Sequence, residues 1–282
     1  MTLTLSTNDD FRPDRSGPLR SLTFILAATV IGVMICAALL SIVWLPHDPT
    51  DFVTDEPFAP IGPGLWLGSD YMGRDVLSRL LEGTRLTLGM ALSATVLAHL
   101  IGSSLGLVAA ARGGATDMAL SRIVDVILSL PKVIVGLVVV AALGPSIWVI
   151  VIMAAIVYSA GVFRIARALG ADLARLEFIE IVKSRGENLA WVIFGEMLPH
   201  VIRPLAADFA IRTSFAILFM SSLSFVGLGV QPPLTDWGGM AHENLDGLST
   251  NPWAALAPSI AIALVSISLN LLVDATERKM KW

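Results

Sequence analysis

Gly102-Ser103-Ser104-Leu105-Gly106 matches G-x-S-x-G, the pattern that holds a nucleophilic serine on a tight turn. Acyl transfer at such a serine needs a strand–turn–helix to expose it and a base within hydrogen-bond reach. Here the pattern lies inside an uncharged run, Leu86 to Ala111. The nearest histidine, His99, is five residues upstream of Ser104 and off its helical face. Gly102 and Gly106, four residues apart, better suit the close approach of a second helix. An intramembrane serine hydrolase built on Ser104 is therefore the rival reading, and no catalytic residue is expected.

Other chemistry is equally sparse. The sequence holds no G-x-x-x-x-G-K-[ST] phosphate loop, so it is not expected to bind ATP itself, and energy must come from another polypeptide. No H-E-x-x-H occurs, and His47, His99, His200 and His242 are scattered. Neither a metal site nor a bound cofactor is expected. The polar residues within apolar stretches are functional candidates by default. Asp208 and Arg212, four apart, are placed to pair with each other. With Asp125 and Asn270 they form the candidate pathway set, while Lys132, after Pro131, is read as snorkelling to an interface.

The elements that must position these residues are membrane spans. Only 15% of the 282 residues are charged, 55% are hydrophobic, and the mean hydropathy is +0.76. A soluble domain carries about 25% charged residues. The net charge of -4 offers nothing to nucleic acid. One cysteine, Cys36, excludes an internal disulfide. A crossing needs about 20 mostly apolar residues. Ser21 to Leu45, Leu86 to Ala111, Val133 to Phe163, about Ala206 to Val230, and Trp253 to Val273 qualify. Leu143-Gly144-Pro145-Ser146 reads as a turn dividing the third run into two, which makes six spans and an all-α membrane protein. The first run is too long for the core of a signal peptide and reads as an anchor.

Basic residues orient the chain. With the N-terminus inside, the inner segments carry Arg12, Arg15, Arg20, Arg112, Arg122, Arg164, Arg167, Arg175, Lys183, Arg185, Arg203, Arg278, Lys279 and Lys281. The outer segments carry only Arg74, Arg79 and Arg85. Both termini are expected in the cytoplasm. The organisation is then a tail at 1–20, an anchor span at 21–45, an outer segment at 46–85, a core at 86–274 with a cytoplasmic loop at about 172–199, and a tail at 275–282.

That loop carries too many charges to enter the bilayer, at about 2.5–3.5 kcal/mol each. Phe178, Ile181, Val182 and Arg185 recur at the spacing of one helical face, flanked by Glu177, Glu180 and Lys183. Gly186 fits the helix C-terminus. A second short helix, about Leu189 to Met197, is expected to stop at Pro199. Periodicity leaves open whether this pair packs on its own protein or docks a partner.

Glu180-Ile181-Val182, Gly186 and Leu198-Pro199 resemble the EAA loop of ABC importer permeases, and Glu177-Phe178-Ile179 is similar to the opening of that loop in peptide importers. The resemblance implies a coupling helix that docks in a groove of a cytoplasmic ATPase, with Ile181 and Val182 standing where two alanines are usual. Arg185 and Glu196 depart from the pattern as well.

Two further segments carry the same resemblance. Leu67 to Gly89, with Gly68, Asp70, Gly73, Arg74, Asp75 and Arg79, is similar to the stretch before the second span of dipeptide, oligopeptide and nickel permeases. From the residues alone, Asp70 is expected to cap a helix, Asp75 and Arg79 to pair, and Val76, Leu77, Leu80 and Leu81 to lay a helix on the membrane surface. Ser224 to Met240, with Gln231, Pro232, Pro233 and Trp237, is similar to the stretch after span five. Gly227 and Gly229 are expected to end the helix, the prolines to extend the chain and Trp237 to anchor at the interface.

The resemblance covers about Pro46 to Asp274 and implies the C-type subunit of a peptide-class, type I importer permease in the bacterial inner membrane. It implies a B-type permease mate, two ATPase subunits or domains holding ATP and Mg, and a periplasmic binding protein that lands on the outer loops. Short peptides are the implied cargo, with nickel chelates or small glycosides as alternatives.

Overall fold

The computed structural model describes residues 17–277, so the outermost parts of both expected tails, with Arg12, Arg15, Arg278, Lys279 and Lys281, lie outside the described residues. Among the described residues the chain is all-α, with no strand. Helix α1 (Gly17–Val43) is apolar on all sides and packs against α2 and α9, leaving Leu22, Ile25, Leu39 and Val43 exposed as a lipid-facing helix requires. Helix α2 (Val76–Arg112) spans 37 residues, about 55 Å at 1.5 Å per residue. That exceeds a hydrocarbon core of about 30 Å. The expected surface helix at Val76 is in fact the first turns of α2, and Val76 is fully buried.

Among the described residues five helices are long and apolar enough to cross a membrane, and a sixth crossing exists if α3 (Gly114–Ser129) and α4 (Lys132–Leu143) count as one broken span. The two meet at 86°. The turn at Gly144–Ser146 is present, but α4 alone is only 12 residues, about 18 Å, too short for the separate span expected over Val133–Leu143. Pro131 accounts for the break, because the residue before a proline, Leu130, is forced into extended backbone.

Helix α5 (Ile147–Leu173) makes the most extensive packing in the bundle, against α2. Gly102 and Gly106 are why: a β-carbon at either would run into the α5 backbone at Ser159–Phe163 or Phe163–Arg167. Gly170 returns the favour against Ala110 and Leu107. Such small-residue seams let helix backbones approach where lipid supplies no hydrophobic drive. Helix α6 (Glu177–Ser184), a π-helical turn (Trp191–Met197), α7 (Leu198–Phe225), the short α8 (Trp237–Glu243) and α9 (Trp253–Glu277) complete the fold.

Candidate functional sites at the two ends of the bundle

At one end, beyond α5, the chain turns at Leu176 into α6. Glu177 and Glu180 occupy its first turn and Lys183 its last, each complementing the helix dipole. The Arg185 amide donates to the Ile181 carbonyl at 3.0 Å and the Gly186 amide to Lys183 at 3.0 Å. Gly186 has φ +79°, the left-handed conformation expected of a helix-ending glycine. The buried stripe differs from the expected one. Ile179 is fully buried, with Phe178 and Val182 partly so, against Leu107, Ala166, Val192, Ile193, Met197, Val201 and Leu205. Ile181 is 60% exposed and Arg185 is also exposed. The inward face, with Ile179 in place of Ile181 and Arg185, is thereby turned by roughly 55° at 100° per residue.

Pro199 does not stop the second segment. The π turn runs directly into α7, with Pro199 at the junction of the two. Leu198 packs on the same apolar cluster as Ile179. The Phe178 and His200 rings lie 5.3 Å apart, and Lys183 Nζ donates to the Ala111 carbonyl at 3.3 Å, so α6 is tied to α7 and to the end of α2. Among the exposed charges of these segments four apolar side chains are also left uncovered: Leu176, Ile181, Trp191 and Phe194 are each about half exposed.

At the other end of α2 the two acids exchange their expected roles. Asp75, not Asp70, caps the helix, accepting from the amides of Leu77 at 3.4 Å and Ser78 at 3.0 Å. Asp70, fully buried, accepts from the Met72 and Arg74 amides, from Arg74 Nε at 2.8 Å, and from Arg79. Arg79 therefore pairs with Asp70 and with Glu243 of α8, whose Oε2 lies 2.9 Å from its Nη2. Gly68 and Gly73 have positive φ, and a side chain at either would strike Ala59 and Asn251, or Thr54. Asn244 accepts from the Tyr71 amide at 3.1 Å, and Asn251 donates to the Leu67 and Ser69 carbonyls. Glu243, Asn244 and Asn251 escape sequence reasoning because their partners lie more than 160 residues away.

Trp237 is not an interface anchor. It is fully buried, its indole N–H donating to the Leu80 carbonyl at 3.3 Å and its amide to Thr87 at 3.1 Å. Asp236 caps α8 through the Gly238 and Gly239 amides. Burial pushes its carboxyl up to about 6, against the opposing pull of these hydrogen bonds. Gly227, with φ +86°, ends α7 as expected, and Gly229 packs so closely on Ser224 that no side chain fits. Pro232 and Pro233 form an exposed turn joined by a cis bond rather than an extended stretch, and Gln231 folds back to the Gly229 carbonyl at 3.1 Å.

Between the ends, Asp208 and Arg212 pair as expected, with Nε to Oδ2 at 2.6 Å, and His99 Nε2 joins the same carboxylate oxygen at 3.3 Å. His99 thus faces α7, away from any role with Ser104. Asp125 pairs with Arg164 at 2.7 Å on the protein surface, and Asn270 bonds Ser214 and Ser266, tying α9 to α7. His47 sits 3.5 Å from Asp75, and His242 lies edge-on to Phe225. Among the described residues no group of metal-ligating side chains comes together.

A many-span helical bundle with a projecting two-segment loop and no phosphate-binding motif is the architecture of a membrane transport subunit. The family model for the binding-protein-dependent transport system inner membrane component matches residues 102–282. The chain is 33% identical over 258 residues to the glutathione transport system permease protein GsiD of Pectobacterium atrosepticum, covering 91% of this chain and 85% of that protein. It is 35% identical over 220 residues to the dipeptide transport system permease protein DppC of Alkalihalophilus pseudofirmus, covering 77% and 72%. The di/tripeptide transport system permease protein DppC of Pseudomonas aeruginosa shares 33% over 276 residues, covering 94% and 89%. The chain belongs to the family of inner membrane components of binding-protein-dependent transport systems. It is a permease subunit of an ABC importer and not an enzyme, which removes the Ser104 hydrolase.

Proposed function

We propose that the chain carries short peptides across the bacterial inner membrane as the C-type half of a heterodimeric permease, both termini cytoplasmic. Relatives named for dipeptide, di/tripeptide and glutathione transport support the cargo class. ATP and Mg reside on two partner ATPase subunits, and a periplasmic binding protein delivers the peptide to the loops around Trp66 and Pro232-Pro233, which are exposed at the Asp70 end.

One observation carries the coupling role. Leu176, Ile181, Trp191 and Phe194 stand exposed on two short segments whose opposite residues, Ile179, Val192 and Ile193, are buried. The inward side fixes the segments to α2 and α7, so a displacement imposed on the outward side is transmitted to those spans. The outward side sets these apolar residues among exposed Glu177, Glu180, Lys183 and Arg185, a mixed surface of the kind that docks a partner.

The test is Ile181→Glu in the assembled complex. The expected result is loss of ATPase co-purification and at least a ten-fold fall in dialanine uptake by proteoliposomes, with the permease pair still inserted and paired. Unchanged ATPase retention and uptake would contradict the coupling role.

A further inference from the structure

The break in the third span places a cation deep in the membrane. Tyr158 lies eleven residues into α5, about 16 Å from its start, and α4 rises about 18 Å from Lys132 to Leu143. With the Leu143–Ile147 turn taken as the edge of the hydrocarbon, both lengths put Lys132 near the middle of a core of about 30 Å. Its ammonium sits over the Tyr158 ring, 4.8 Å from the centroid, rather than snorkelling to an interface. One turn further along α5, the Arg212 guanidinium lies where a side chain at Gly161 would be, so that glycine makes the room it occupies. The two cations are near enough for their charges to act on one another.

The local charge does not balance. Asp208 bonds Arg212 and His99, and no carboxylate of the described residues reaches Lys132. Lys132 is nonetheless exposed at the surface of this chain. An unpaired ammonium facing lipid at that depth is strongly disfavoured, so the surface it faces is polar. Tyr158 cannot supply the missing anion, since its hydroxyl donates to the Phe215 carbonyl at 2.9 Å.

We propose that Lys132, backed by Arg212, faces the translocation pathway at this break and takes the carboxylate of the peptide in transit. The proposal rests on the peptide-import reading above. The pathway then has a station near mid-membrane where the one charge common to all unblocked peptides is met. The aromatic face of Tyr158 positions the ammonium without neutralising it.

The experiment uses the complete complex, with its binding protein, in proteoliposomes supplied with trialanine. Wild type is compared with Lys132→Arg, Lys132→Met and Lys132→Glu for uptake and for ATPase activity stimulated by the binding protein. Uptake is expected within three-fold of wild type for Arg, at least ten-fold lower for Met, and lower still for Glu, with stimulated ATPase activity kept in all three. In a Cys36→Ser background, the Lys132→Cys variant is expected to react with a water-soluble, membrane-impermeant thiol reagent. Wild-type uptake of trialanine together with undiminished uptake by Met and Glu would overturn the proposal, as would a Lys132→Cys variant that stays unlabelled from both sides. Loss of the permease pair on purification of the Met variant would also overturn it, placing the charge in the subunit interface. Wild type failing to take up trialanine or dialanine would overturn the peptide reading itself, and this proposal with it.

Discussion

The two ends of α2 treat charge and apolar surface in opposite ways. At its start, Asp70, Arg74, Arg79 and Glu243 are drawn together from two segments far apart in sequence, and three of the four are almost wholly buried. Asp75, Asn244 and Asn251 spend their hydrogen bonds on the neighbouring backbone. At the other end, Glu177, Glu180 and Arg185 point to solvent, and Ile181, Trp191 and Phe194 are left half exposed. One end satisfies its polar groups within the chain, and the other leaves apolar side chains uncovered. On the coupling role proposed above, the first end is a rigid reference around which the spans are held and the second a handle on which a partner pulls.

The largest effect is expected where the self-contained end is opened. Arg79→Leu leaves Asp70 buried with only Arg74 beside it. Removing one partner of a buried ion pair costs about 3–5 kcal/mol. Thermal unfolding of the purified permease pair should shift down strongly, whereas Arg79→Lys should recover part of the loss. A shift no larger than that of an exposed charge such as Arg185 would break the contrast between the ends.

A smaller effect follows from Asp236. Its carboxyl is held up at about 6 in the fold, against an ordinary 3.8, because burial disfavours the charge. The folded state therefore binds the proton more tightly than the unfolded chain does. The resulting stabilisation is complete below about pH 4 and is lost as pH rises through 6, a change of about 2–3 kcal/mol. Asp236→Asn keeps the helix cap and should remove this part of the pH dependence, read as the difference in unfolding temperature between variant and wild type at pH 4.5 and 7. The smallest effect on stability is expected from Ile181→Glu, within about 0.5 kcal/mol, because an exposed side chain leaves no cavity. That variant separates folding from coupling.

How much of this was legible depended on whether the signal was local. The five apolar runs, the turn at Gly144–Ser146, the α6 helix and its Gly186 terminus all follow from residues within a turn or two of one another. So does the Asp208–Arg212 pair. The Asp70–Arg79–Glu243 cluster was not legible, because Asp75 and Arg79 satisfy the i,i+4 rule in sequence while Arg79's actual acceptors include one 164 residues away. Trp237 reads as an interface residue by type, and only the packing of α8 onto α2 and α7 shows that it is core. The bend between α3 and α4 was hidden because hydropathy sums ignore where a proline falls. His99 lies off the helical face of Ser104, and nothing in the local sequence points from it to Asp208.

The most direct test of the contrast is hydrogen–deuterium exchange of the permease pair in nanodiscs, with and without its ATPase subunits. The expected result is slowed exchange on ATPase binding across Glu177–Met197, with exchange over Leu67–Arg79 unchanged because the amides of Gly68–Arg74 and Val76–Arg79 already have acceptors within the chain. Unchanged exchange over Glu177–Met197, or an equal change at both ends, would contradict the assignment of one end as handle and the other as fixed reference.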